Sequence, residues 1–340
     1  MLLFRQYGSS VALLCALAGF LPAAAIVGCK GAGRGDGASL SPEERLLPPT
    51  PEFATLAALQ NERIGKITDF WSRASLRAVW VDDEGERHRE EGEGHLILRL
   101  PYQTSLTVGK VGEIGYWAGS DMEHFWLFDS VDRDNPIAFL ARNENAFSPC
   151  AEPLPLAIHP LEVVDLMGFS TLPEVLPITL ADGTVQPAPA TPEVVVDDLD
   201  RSFVVTLPGP FSVRRIAFDA DHPDLVPKRV ELLDPNGGRV LAIAELTEYV
   251  RLDVIGLGPG LQPWVPSRLY IRPGGADVDP EENFVRLTLA APADRPTSRR
   301  EIDPRVFEFR TVQRQMRPDR IEVLDQNCPE PAEVSAVAGG

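Results

Sequence analysis

The chain has 340 residues, 44% hydrophobic and 24% charged, which supplies one large core or two modest ones and excludes a wholly disordered chain. Its formal net charge of −18 repels phosphate backbones and anionic headgroups, so nucleic acid is not expected as a partner. The 32 prolines exceed average usage and imply many connections.

The first residues read as a targeting segment. Arg5 and the free amine precede an apolar run over 11–25 with Leu13, Leu14, Leu17 and Phe20, and the run closes on Ile26, Val27, Gly28 and Cys29. That ending resembles the lipobox of bacterial lipoproteins. The resemblance implies a signal peptide over 1–28, lipid attachment at Cys29, and a lipid-anchored protein of the cell envelope. Lys30 after the cysteine is compatible with the outer membrane, facing the periplasm. A plain signal peptide or signal anchor with an incidental cysteine is the other reading. Residues 29–50 then form a glycine-rich tether with a proline-bearing lead-in.

Thr50 and Pro51 read as an N-cap followed by proline at the first helical position. Phe53, Leu56, Ala57 and Leu59 fall at helical spacing, which predicts a helix to about Arg63. The period then changes: Leu76, Ala78 and Trp80 alternate with their neighbours in a long strand, which Asp83, Glu84 and Gly85 turn into a second strand over 87–100. Residues 94–130 continue as a meander of strands, with Pro101 at a strand end where no ladder donor is needed. A short strand over 136–141, a loop over 146–155 and a short helix over 159–168 closed by Gly168 follow. Residues 171–198, rich in proline, alanine and valine, read as a connector or covering loop.

The second half returns to strands over 202–207, 212–218, 227–233, 239–246, 249–254, 268–272, 284–290 and 306–310, with hairpin residues at 234–238. The chain turns polar after Val312, and 313–340 reads as a loose, disordered tail. The core domain is therefore placed at 51–312, with 171–198 as an inserted connector. One continuous antiparallel sheet and two sub-sheets divided at that connector both remain open.

Cys15 lies in the leader, which leaves Cys150 and Cys328 in similar settings in the mature chain. An oxidising periplasm permits them to pair, and two separate thiols is the other reading. Neither has the neighbours of a zinc site.

The order of helix, long strand and turn, then Gly92, Gly94, Leu96, Pro101, Ser120, Asp121, Phe125, Trp126, Phe128 and Asp129, resembles the LolA/LolB-like outer-membrane lipoprotein carrier and receptor superfamily. Residues 229–246 and Val306, Phe307, Glu308 and Phe309 resemble its later hairpin and final strand. The resemblance spans about 53–310. It implies an α+β fold, mainly antiparallel β, in which a highly curved open half-barrel sheet has helices covering its concave face and takes an acyl chain. Three features depart from the pattern: the soluble carriers lack a lipobox, the lipidated receptor is shorter, and the apolar loop at 256–265 lies in a different hairpin from that receptor's protruding one.

A curved sheet with bulky residues on its concave face leaves apolar volume unless helices fill it. Trp80, Leu96, Leu98, Trp126 and Phe128, chosen by parity along their strands, are the candidate lining, with ordinary core as the alternative. Enzyme signatures are missing: no G-x-S-x-G, H-E-x-x-H or C-x-x-C occurs, and His88, His95, His124, His159 and His222 are scattered. Asp219, Asp221, His222 and Asp224, and Asp129, Asp132, Asp134 and Asn135, form acidic groups at turns, so neither a metal nor a cofactor is expected. Two non-enzymatic functions follow. One is an envelope lipoprotein that binds an acyl chain or lipoprotein cargo; the other is an envelope protein-interaction scaffold without lipid cargo, its partner held partly by the loop at 256–265.

Overall fold

The computed structural model describes residues 47–329 apart from 82–84, 111, 155, 157, 175–177, 180–184, 187–190, 210, 236–237, 275–280, 290–295 and 299–300. Residues 1–46, on which the expected signal peptide, Cys29 and most of the expected tether fall, and the last eleven residues lie outside the described residues. Helix α1 (Phe53–Gly65) opens the fold, with Glu52 rather than Thr50 at its N-cap and without a side-chain cap. Its buried positions Phe53, Leu56, Ala57, Gln60, Arg63 and Ile64 form a stripe at spacings of three and four.

Six strands follow as a meander: β1 (Asp69–Val81), β2 (Arg87–Arg99), β3 (Gln103–Lys110), β4 (Glu113–Ser120), β5 (His124–Asp129) and β6 (Ile137–Arg142). A 3-10 turn at Pro160–Glu162 runs into the short helix α2 (Val163–Leu166), and Gly168 ends it with φ +67°. Within the connector lie a two-stranded ribbon, β7 (Ile178–Thr179) and β8 (Val185–Gln186), and a third strand, β9 (Val195–Asp197). Then come β10 (Ser202–Pro208), β11 (Val213–Asp219), β12 (Pro227–Leu233), β13 (Val240–Arg251), β14 (Trp264–Pro273) and β15 (Phe284–Leu289).

The two meanders join into one sheet. Strand β1 pairs with β2 on one side and β15 on the other, and with a last short strand, β16 (Arg320–Val323), the sheet holds 14 strands in the order β16-β6-β5-β4-β3-β2-β1-β15-β14-β13-β12-β11-β10-β9. The fold is thus mainly antiparallel β and the sheet is open. The choice between one sheet and two is settled for one.

Three expectations are corrected. The predicted breaks between 246 and 249 do not occur, because β13 runs straight through with Glu248 in a positive-φ conformation. The predicted final strand at 306–310 is instead a 3-10 turn at Pro304–Phe307 followed by helix α3 (Phe309–Met316). Alternation within so short a window is shared by helix and strand, and Phe309, Val312 and Met316 have the helical spacing that decides it. Finally, residues 313–329 are not a loose tail: α3 extends to Met316, and β16 (Arg320–Val323) pairs in parallel with β6 at the edge of the sheet. The Cys150–Cys328 disulfide, with Cα atoms 5.1 Å apart, ties that segment to the loop after β6.

Strand β5 is buried on both faces, which explains the unbroken apolar run Phe125, Trp126, Leu127, Phe128. In β14 and β15 the exposed Arg268 and Arg286 alternate with buried Leu269 and Leu287, as expected where one face meets water.

Candidate functional site

The strand register sorts the candidate lining onto two faces. Phe70 pairs with Leu98, Ser72 with Leu96 and Trp80 with His88, so Trp80, Leu96 and Leu98 share the face on which α1 packs. Across the sheet that face continues through Leu106, Ala118 and Leu127 on one side. On the other it continues through Leu287, Leu269, Leu246 and Ala244. Trp126 and Phe128 pair with Gly119 and Trp117 and point to the opposite face. Parity by number failed because Arg99 and Gln103 enclose three residues whereas Ser120 and Phe125 enclose four, which inverts odd and even between β2 and β5.

On the α1 face, Leu96, Leu98 and Phe70 are fully buried in one apolar cluster with Leu56 of α1, Leu166 and Met167 of the α2 segment, and residues of β10 to β15. Phe70 meets Phe169 edge-on at 5.5 Å. Farther along the same face, toward the β1–β2 turn, Leu76, Ala78, Val108 and Tyr116 are only partly buried, and Trp80 stacks on His88 at 5.2 Å. Burial, with the negative charge of Glu90 and Asp129 beside it, raises the Tyr116 phenol; burial raises the Asp129 carboxyl.

The margin of α1 is polar. Gln60 Nε2 donates to Gly168 O at 3.0 Å and Ser170 O at 2.8 Å. Asn61 Nδ2 donates to Leu172 O at 2.9 Å, and its Oδ1 accepts from Leu172 N at 2.8 Å. Arg63 donates to Trp264 O at 2.9 Å, Gly168 O at 2.6 Å and Gln60 Oε1 at 2.8 Å. Burial lowers the Arg63 pKa to about 10, which leaves it charged at neutral pH. These residues escaped the sequence reading; the signal for them was two polar residues, Gln60 and Arg63, inside an otherwise apolar helical stripe.

On the opposite face, Trp117, Trp126, Phe128 and Ala138 pack against Val312, Phe309 and Met316 of α3. Phe309 stacks on Phe128 at 5.3 Å and meets Trp126 edge-on at 6.2 Å. Trp126 and Phe128 are thus core beneath α3.

Two open depressions lie among the described residues. One of about 410 Å³ lies between Thr50, Phe53, Thr191 and Val194. Another of about 300 Å³ lies between His124, Arg142, Val323 and Asp325.

The acidic turns hold themselves together. Asp219 and Asp132 accept from backbone N–H groups two residues on, and Asp221 pairs with Arg201 at 2.7 Å. Among the described residues no group of three His, Cys, Asp or Glu side chains could hold a metal ion. The loop at 256–265 is braced by Gln262, whose side chain bonds Val254 N, Val254 O and Leu257 O. Within it Leu261 is mostly exposed, at 61%, as is Ile255 just before it, at 68%. Arg251 lies over the Trp264 ring at 4.0 Å. No helix among the described residues is long and apolar enough to cross a membrane.

The chain matches no protein-family model and no curated protein.

Proposed function

We propose that the protein is a non-enzymatic, lipid-anchored envelope protein that binds an acyl chain or comparable apolar ligand between α1 and the face bearing Leu96 and Leu98, in lipid or lipoprotein trafficking at the outer membrane. The observation that carries this reading is a continuous apolar face, running from β3 through β1 to β10, whose helical cover is fastened at its margin by side-chain hydrogen bonds. Each methylene transferred to such a face contributes about 0.8 kcal/mol, so a partly accommodated chain binds without any polar motif.

A wrapped sheet is part of the proposal, and one contact pattern supports it. In a flat sheet β3 and β12 would stand about 29 Å apart, six spacings of about 4.8 Å in the strand order. The seven residues of the 3-10 turn and α2 extend only about 12 Å, yet they touch β3, β4 and β5 at one end and β12 at the other. Arg214 of β11 also reaches Asp165 of α2 at 2.9 Å. A sheet curved around α1 and α2, the half-barrel expected from the resemblance to the LolA/LolB-like superfamily, accounts for this.

The reading is tested by native mass spectrometry of the purified protein with lipid analysis of whatever co-purifies. Acyl mass that is lost on changing Leu98→Asp, with the fold retained, is expected. A bare protein that stays bare after incubation with lipid would sink it. A second reading, the interaction scaffold, is favoured by the burial of Leu96 and Leu98 beneath α1 and by the braced, exposed loop at Ile255 and Leu261. Deleting that loop without changing the set of co-purifying proteins would count against it.

A further inference from the structure

Arg63 differs from other buried or half-buried guanidinium groups. Arg214 faces Asp165, Arg142 faces Asp325, and Arg229 faces Asp200 and Glu231. Arg63 is 7% exposed, and its partners are three neutral oxygens, Trp264 O, Gly168 O and Gln60 Oε1. A charge shut away from water without a counter-charge is costly.

Its donors are also incompletely matched. A guanidinium has five N–H donors, and three of the five on Arg63 are engaged. The Arg63 Nε is buried without an acceptor, and so is the Trp264 indole Nε1. Beside that indole Arg251 lies over the ring at 4.0 Å, and its guanidinium is also ion-paired with Asp224 at 3.7 Å. His222 meets the same ring edge-on at 5.4 Å. Trp264, Arg251, His222 and Tyr249 are partly exposed, so the cluster is reachable from solvent.

Buried N–H donors and a planar cationic fork with no anion against them match carboxylate or phosphate oxygens. We propose that Arg63, with the Trp264 indole N–H and Arg251, is a recognition point for the anionic group of an acyl-chain ligand, a carboxylate or a phosphate. This rests on the apolar-ligand reading above and adds the charge of the ligand's head.

The test is a fluorescence titration of the purified protein with cis-parinaric acid and with its uncharged methyl ester. The acid is expected to bind about tenfold more tightly, a difference of about 1.4 kcal/mol. In Arg63→Gln that preference falls to near unity while ester binding persists. Trp264→Phe, which keeps a ring and removes the N–H, lowers the preference in part and serves if Arg63→Gln does not fold. Competition separates the anions: displacement by palmitate assigns a carboxylate and displacement by lysophosphatidic acid a phosphate, each supporting the proposal. Equal displacement by inorganic phosphate overturns it. Equal affinity for acid and ester overturns it while leaving the apolar-ligand reading intact, and so does a preference undiminished in both variants. Failure of both probes to bind contradicts the two together.

Discussion

Helices α1 and α3 pack on opposite faces of one sheet, and they are held down by different means. α3 presses three apolar residues onto Trp117, Trp126 and Phe128, and the chain beyond it is secured by β16 on the sheet edge and by the Cys150–Cys328 bond. α1 has more apolar surface beneath it, but at its C-terminal margin it is tied to residues 168–172 and to β14 by the side chains of Gln60, Asn61 and Arg63. The segment beyond α3 is held covalently, whereas the ties at the margin of α1 are side-chain hydrogen bonds. Under the proposed function, the α3 face serves stability and the α1 face serves ligand exchange.

The strongest way to break this comparison is Phe128→Ala. Removing a fully buried ring beneath α3 is expected to cost about 3 to 5 kcal/mol, read by denaturant unfolding, with acyl-probe affinity of the remaining folded protein unchanged. Replacing both cysteines by serine should cost about 2 to 4 kcal/mol, since the bond closes a loop across a sequence separation of 178. It should also raise acrylamide quenching of the tryptophans under α3. Asn61→Ala removes two hydrogen bonds to Leu172 and is expected to cost about 1 to 2 kcal/mol, while making acyl-probe uptake faster. Slower or unchanged uptake would place the opening elsewhere.

The smallest effect is a pH dependence at the α2 segment. Burial, reinforced by Asp165, raises Glu162 from 4.5 to about 7, so the folded chain holds that proton more tightly and stability falls as pH rises from about 4.5 through 7. Burial lowers His159 from 6.5 to about 3, so its contribution is lost as pH falls from about 6.5 toward 3. The two oppose each other between 4.5 and 6.5. Glu162→Gln should therefore flatten the loss of stability between pH 6.5 and 7.5 and leave the acid limb in place, as measured by thermal melts across pH.

The sequence disclosed most strands because apolar runs and turn residues are local: β1 to β6, β10 to β12 and β15 follow from alternation and from Pro101, Gly85 and the 234–238 turn. It disclosed less of what depends on the partner across the ladder. Whether Trp126 lies with Leu98 is decided by turn length, which residue parity does not carry. The C-terminal segment looked polar and loose because α3 has a single narrow apolar edge and β16 only four residues. Its order comes from contacts far away in sequence, with β6 and Cys150. Likewise nothing local in Gln60 and Arg63 names the carbonyls they bind, because Gly168 and Trp264 are far away in sequence.

Photolabelling of the purified protein with a diazirine-bearing fatty acid tests the central claim most directly. Label is expected on the α1 peptide and on the β2 peptide containing Leu96 and Leu98, diminished by an excess of palmitate. Label confined to the peptides of β5 and α3, or spread over the surface and insensitive to palmitate, would contradict it.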